Sequence, residues 1–467
     1  MISQYIPVIT AAASVIAIAY RASFRLFKMG SVGKWKPANF QYENLISLAV
    51  IVIIFAYFAR IPIDTGMPPI GDAILHSSLT SMIVGQGQII KDTPFPPFEA
   101  VYPQGYHAFS GNISLLLNLN PAESVYILSV FLLITLSSSL LTLTRTLTNI
   151  YWLSLPMPFV VLIVHNSKHL ETWITGYLFN GPYPTLFGFL SVVTIITLLQ
   201  ISSRSRQSIL ELSPAILLLA ISLFVTYPTF IIHIASYVVA YILTKRLGEK
   251  TEMKQRRLTA VTGSLVKSEI QHSSRTNLSY ASSISIRNKP LRLGSIFMDT
   301  SIISIFVIAV AAGGLVPFFQ QMVSFNLYVF SDVAKFESLH PSAAISSQVV
   351  WPRMSSDVIF LGLLVLQVAI FIATLILKSR LMPVALGSLI VIMLTFIPGF
   401  GFIYPQRTLT LIAALAWPVI AYGISMLLPM IRHKALQRHN AALIGFIAVI
   451  FAIEAPHIYD HAVRNYG

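Results

Sequence analysis

Long unbroken apolar runs dominate the pattern of this chain, separated by short polar segments. A helix needs roughly 20 apolar residues to cross about 30 Å of hydrocarbon, and fewer where flanking groups snorkel. Twelve stretches meet that requirement, at roughly 5–20, 45–61, 122–143, 150–165, 184–201, 212–226, 228–244, 297–318, 356–377, 382–398, 407–430 and 441–457. The pattern predicts an all-α polytopic membrane protein of about 12 transmembrane helices. The stretch at 211–246 is too long for one span. Tyr227-Pro228 divides it, because proline removes an amide donor and disfavours helix just before it, so a tight hairpin is expected there. A further apolar piece, His107 to Leu119, is too short to span and is expected to dip into the membrane or lie on it.

Composition sharpens the class. Of the 467 residues, 55% are hydrophobic and 10% are charged, whereas a soluble domain carries about 25% charged residues to hydrate its surface. A soluble globular enzyme is excluded. With no cysteine, disulfides, thiolate metal sites and a cysteine nucleophile are excluded too.

The net charge of +14 would suggest nucleic acid, but its distribution says otherwise. On the twelve-span map with the N-terminus outside, 24 of the 31 Lys and Arg fall on inner loops and 11 of the 17 acids fall outside. This is the positive-inside bias of a multi-pass cell-membrane protein, with both termini expected outside. The partner it points to is the lipid bilayer, and nucleic acid is dropped. The Ala-rich first segment resembles a signal peptide. Its basic residues follow the apolar core instead of preceding it, which favours an N-out anchor.

The loops divide the chain into an N-terminal membrane module (1–244) carrying the outer loop 62–121, a basic linker (245–295), and C-terminal membrane helices (296–467) with an outer loop at 319–355. The linker is polar, Ser/Thr-rich and without apolar periodicity, as expected of a cytoplasmic segment drawn to anionic lipid.

Candidate chemistry concentrates in the loop 62–121. Pro68, Pro69 and Gly71 stop one element, and a helix is predicted from Asp72. Leu75, Leu79, Met82 and Ile83 recur along it at helical spacing and form an apolar stripe. Asp72, His76 and Thr80 fall at i, i+4 and i+8 on another face, so a short amphipathic surface helix is expected to present an acid and an imidazole. Asp72 equally fits a helix cap, and His76 an interfacial histidine satisfied by backbone. Beyond it, Tyr102-Pro103-Gln104-Gly105-Tyr106-His107 reads as a turn feeding the short dipping helix.

An outer loop with an Asp-initiated D-x-x-x-H helix, a glycine about a dozen residues on, and then Y-P-x-G-x-H resembles the first outer loop of GT-C class glycosyltransferases that use lipid-phosphate sugars, in their archaeal and bacterial membrane forms. The resemblance covers about residues 45–145. Those enzymes often carry a second acid where Ala73 stands, and no D-x-D occurs here. Thr226-Tyr227-Pro228-Thr229 is similar to a Thr-His-Pro turn of these families, with Tyr in place of His. The resemblance implies transfer of a sugar from a polyprenyl-phosphate donor to a glycan, lipid or protein acceptor at the outer face. Asp72 would be the general base, with Asp64 the alternative or an orienting partner. His76, His107 and Tyr102 would line the substrate site.

A leaving phosphate needs cationic donors at the membrane edge. Arg407, in Tyr404-Pro405-Gln406-Arg407, and Arg353, after Trp351-Pro352, are the candidates; a snorkelling interface arginine is the alternative for Arg407. The missing second acid disfavours a bound divalent ion, and the spacing of His165, His169 and Glu171 does not fix three ligands on one helix face. No metal site is therefore assigned. No dinucleotide, P-loop or H-E-x-x-H motif is present, so no cofactor is expected. Two other readings stay open: a multispan transporter or flippase, against which the spans hold few charges, and a non-catalytic membrane assembly subunit.

Overall fold

The computed structural model describes residues 72–88, 90, 104–148, 153–154, 183–205, 215–216, 218–220, 222–223, 226–245, 358–376, 381–396 and 405–427. The predicted spans at 5–20, 45–61, 297–318 and 441–457 lie outside these residues, as do nearly all of the span at 150–165, the loops 246–295 and 319–355, Asp64, Tyr102, Arg353 and the 165–171 cluster. What is described is almost wholly helical, with no strand among the described residues.

The first helices are α1 (Asp72–Gln86), α2 (Gly105–Leu117), α3 (Pro121–Thr148) and α4 (Tyr183–Ser205). A 3₁₀ turn at Pro228–Phe230 then leads into α5 (Ile231–Lys245). The C-terminal ones are α6 (Val358–Ile376), α7 (Met382–Thr395), α8 (Pro405–Ala414) and α9 (Ala416–Leu427). Among the described residues, Pro121–Thr148, Tyr183–Ile201 and Arg407–Met426 are long and apolar enough to cross a membrane. The predicted break at Tyr227-Pro228 is there: Tyr227 is non-helical and the 3₁₀ turn follows it. The predicted span 407–430 is interrupted at Leu415. Pro418 lies three residues on; it cannot donate to the Ala414 carbonyl, and its ring crowds that oxygen.

Local chemistry sets the joint between α2 and α3. Asn118 takes a left-handed conformation (φ 52°) that closes α2. The Asn120 side chain then accepts from the Ala122 amide at 3.0 Å, and Glu123 reaches back to the Asn120 amide at 3.1 Å. With Pro121 at the first helical position this forms a capping box, and the chain reverses within three residues. The many hydroxyls of α3 suit an apolar setting because they bond back to the preceding turn. Ser129 donates to Val125 O, Ser137 to Leu133 O and Thr144 to Leu140 O, each at 2.7–2.9 Å.

The core runs through α3 to α9, with Leu136, Leu140, Phe189, Val192, Phe230, Phe371 and Val419 fully buried. Tyr106 of α2 contacts both Ser129 of α3 and Tyr183 of α4, while Ser139 and Thr194 meet ten and eleven residues further along at 3.3 Å. The helices α3 and α4 therefore run parallel and start at the same end. Two glycines allow α5 and the turn leading into it to pack against their neighbours. The Phe230 ring lies over Gly188 of α4, and the Tyr237 ring lies against Gly387 of α7, with the Tyr237 hydroxyl 2.9 Å from Ser388. Small residues at such contacts are how helices approach closely in lipid.

Helix α1 departs from the expected surface amphipath. Its polar positions His76, Ser77 and Thr80 are buried with Ala73, Leu79 and Ile83, whereas Ile74 is 57% exposed. The reason is tertiary: α1 packs on α2 and α3, and α2 offers a polar partner, so the polar stripe turns inward.

Candidate functional site

The first turns of five helical segments meet in the described structure. Asp72 and His76 come from the start of α1, Tyr106 and His107 from α2, Tyr183 from α4, Tyr227 from the turn into α5, and Arg407 from α8. Helix starts expose unpaired amides and the positive end of the peptide dipole, so this meeting point is built to hold negative charge.

The motif around residue 104 builds one wall. The Gln104 amide brackets the chain after α1, accepting from Ile90 N at 2.8 Å and donating to Ile90 O. Tyr106 anchors α2 to α3, its hydroxyl donating to Val125 O at 2.8 Å. His107 turns the other way, towards α1. Its Nε2 lies 2.8 Å from His76 Nδ1, with both rings fully buried. One of the two nitrogens donates and the other accepts. The rings of Tyr106 and Tyr183 flank His76 at centroid distances of 5.9 and 5.8 Å. Nitrogens in direct hydrogen-bond contact leave no room for an ion between them. No group of three or more His, Asp or Glu able to hold a metal occurs among the described residues.

Arg407 closes the other side, with its guanidinium 5.2 Å from the centre of the Tyr227 ring. Its charge reaches both residues of α1. Burial holds His76 well below the ordinary imidazole range, helped by His107 and then by the Arg407 charge. Asp72 keeps part of its side chain open, yet the protein around the carboxyl displaces enough water to raise its pKa, with Arg407 pulling it partway back. An open, raised carboxylate beside a cation can accept a proton more strongly than a free one.

The structure thus brings four of the sequence-nominated residues, Asp72, His76, His107 and Arg407, into one cluster from segments up to 335 positions apart. His76 is paired with a side chain, where backbone satisfaction was the alternative expectation. Tyr183, Gln104 and Tyr106 were missed. Gln104 and Tyr106 lay inside the quoted Y-P-x-G-x-H motif, and their roles could have been sought there; Tyr183-Pro184 at the head of an apolar run gave no signal of its own. Tyr227, singled out for its turn, acquires a second role as the platform under Arg407. The chain matches no model of a known protein family and no curated protein.

Proposed function

We propose that this chain is a membrane glycosyltransferase of the GT-C kind, moving a sugar from a polyprenyl-phosphate carrier to an acceptor at the outer face. On this reading the full chain has about twelve spans, with both termini outside. The observation that carries it is the meeting of Asp72 with Arg407 where several helix starts converge, at the head of an apolar bundle. A phosphate on a lipid tail needs that combination of positive field and apolar flank, and a sugar acceptor needs a base beside it. As the bond from the anomeric carbon to the phosphate oxygen breaks, its electron pair leaves with the polyprenyl phosphate, where Arg407 offsets the charge. The acceptor hydroxyl bonds to the anomeric carbon and gives its proton to Asp72, a contribution of about 10²–10⁴ in rate. His76 and His107 act from behind, holding the start of α1 in place.

The test uses the full chain in lipid vesicles, with a panel of polyprenyl-phosphate sugars and an envelope extract as acceptor. Release of polyprenyl phosphate should occur with at least one donor, survive a chelator, and fall about 10²-fold in Asp72→Asn. No release from any donor, or release indifferent to Asp72→Asn, ends this reading.

A further inference from the structure

The sequence contains four Tyr-Pro steps, Tyr102-Pro103, Tyr183-Pro184, Tyr227-Pro228 and Tyr404-Pro405. Each stands within two residues of a helical start, those of α2, α4, the turn into α5, and α8. Proline suits that place because its fixed φ fits the first turn, where its missing amide would have had no intrahelical partner. Two of the four steps continue with threonine, Thr185 and Thr229. Thr185 is fully buried and Thr229 is 8% exposed, and neither hydroxyl has a hydrogen-bond partner among the described residues. Hydroxyls further along a helix are satisfied locally: Thr144 donates to Leu140 O at 2.8 Å, and Thr197 of α4 to Val193 O at 2.7 Å. A residue in the first turn has no helical carbonyl four places back, so its hydroxyl is left over for another acceptor.

The two threonines border one joint. Thr185 lies three residues before Gly188 on the same side of α4, and the Phe230 ring packs on Gly188. Thr229 lies one turn before His233, whose ring stacks on Phe230 at 4.5 Å and whose Nε2 is 2.9 Å from the Thr408 hydroxyl of α8. Next to Thr408 stands Arg407, with its guanidinium over the Tyr227 ring. Hydroxyls, first-turn amides and a guanidinium are all donors, and a phosphoryl group offers the acceptor oxygens that such a set takes up. We propose that the twin Tyr-Pro-Thr starts of α4 and α5 form a phosphoryl-binding cradle, in which the Thr185 and Thr229 hydroxyls donate to phosphoryl oxygens beside Arg407. That this is the phosphate leaving with the polyprenyl carrier rests on the proposed function; the cradle itself does not.

A structural role and a binding role for a buried hydroxyl predict opposite effects on stability. A threonine that holds the fold through a hydrogen bond loses stability when valine replaces it. One whose hydroxyl waits for a ligand keeps or gains stability, since valine has nearly the same shape and no polar group to satisfy. Thr185→Val and Thr229→Val should therefore melt at or above the wild-type temperature without ligand. Each should nevertheless bind a phosphate about tenfold more weakly, the weight of one hydrogen bond to a charged group. Thr185→Ser and Thr229→Ser keep the hydroxyl and should keep most of the affinity.

The experiment uses the full chain in lipid nanodiscs and measures binding of dodecyl phosphate over that to empty nanodiscs. Dodecyl glucoside supplies a neutral head on the same tail, and inorganic phosphate serves as competitor. Dodecyl phosphate should bind more tightly than dodecyl glucoside, and its affinity should fall in both valine variants. Displacement by inorganic phosphate makes the phosphoryl group alone sufficient as ligand, and resistance to displacement makes it a lipid headgroup held together with its tail; either result supports the cradle. Equal binding of the two amphiphiles overturns it without recourse to any variant. It is overturned equally by valine variants that bind dodecyl phosphate as wild type does, or that lose it only with a lowered melting temperature. Hydroxyl-dependent binding of the glucoside with the phosphate unaffected overturns it too, and would make the joint a sugar pocket. Binding is read without turnover, so failure of the cradle and failure of the sugar-transfer reading are separable.

Discussion

Asp72 is the first residue of α1, where a carboxylate also favours the helix electrostatically, so its two roles must be separated by substitution. Asn keeps size and capping ability, while Ala removes both. Asp72→Asn should leave the melting temperature nearly unchanged and reduce turnover about 10²-fold, whereas a residue that only caps would show about 1 kcal/mol of lost stability in Asp72→Ala and little change in Asn. The raised carboxyl pKa gives a second signature. A base must be ionised to work, so activity is present above its pKa and is lost as pH falls through it. The acid limb of kcat/KM should therefore lie above the ordinary carboxylate range near 4. Arg407 lowers that pKa, so Arg407→Gln should move the limb to higher pH, and Arg407→Lys should move it less. The platform under Arg407 is testable in the same assay. Tyr227→Phe keeps the ring face and should raise KM for the lipid-phosphate donor little, whereas Tyr227→Leu removes a contact of about 0.5–2 kcal/mol and should raise KM several-fold.

At the scale of the element, α5 and the turn leading into it depend on having almost no side chain opposite Phe230 and Tyr237. A methyl at Gly188 would sit 2.8 Å from the Phe230 ring, which is fully buried and has nowhere to move. Gly188→Ala should cost about 1–3 kcal/mol, read as a lower melting temperature in detergent. Gly387→Ala should cost more, since its methyl would fall still closer to a Tyr237 ring tethered through Ser388. The helix α1 shows why elements are less legible than spans. Its apolar stripe was visible, and so was its polar stripe, but that residues of both would be buried depends on what packs against it. Packing on α2 and α3, with His107 of α2 bonded to His76, turned His76 and Thr80 inward beside Leu79 and Ile83 and left Ile74 outside.

At the scale of the whole molecule, the distribution of Lys and Arg predicts the sidedness of the loops. A cysteine introduced at Ser264 should resist outside-only thiol reagents in intact cells, and one at Thr93 should react. The opposite pattern would place Asp72 on the cytoplasmic side and remove the proposed chemistry.

The apolar runs at 122–143, 184–201, 228–244, 356–377 and 382–398 correspond to α3, α4, α5, α6 and α7, and the turn at Tyr227-Pro228 was legible from proline alone. Runs of that kind are local: insolubility in water and the rigidity of proline act on each stretch wherever it sits in the chain. The nomination of Asp72, His76, His107 and Arg407 came from the same local text. Their meeting did not, because a hydrogen bond between residues 76 and 107, or a guanidinium from position 407 over the ring of Tyr227, depends on how tertiary packing brings the first turns of separate helices together. Local pattern determined which segments are helices, and packing between distant segments decided which of their faces are buried and which side chains share a site.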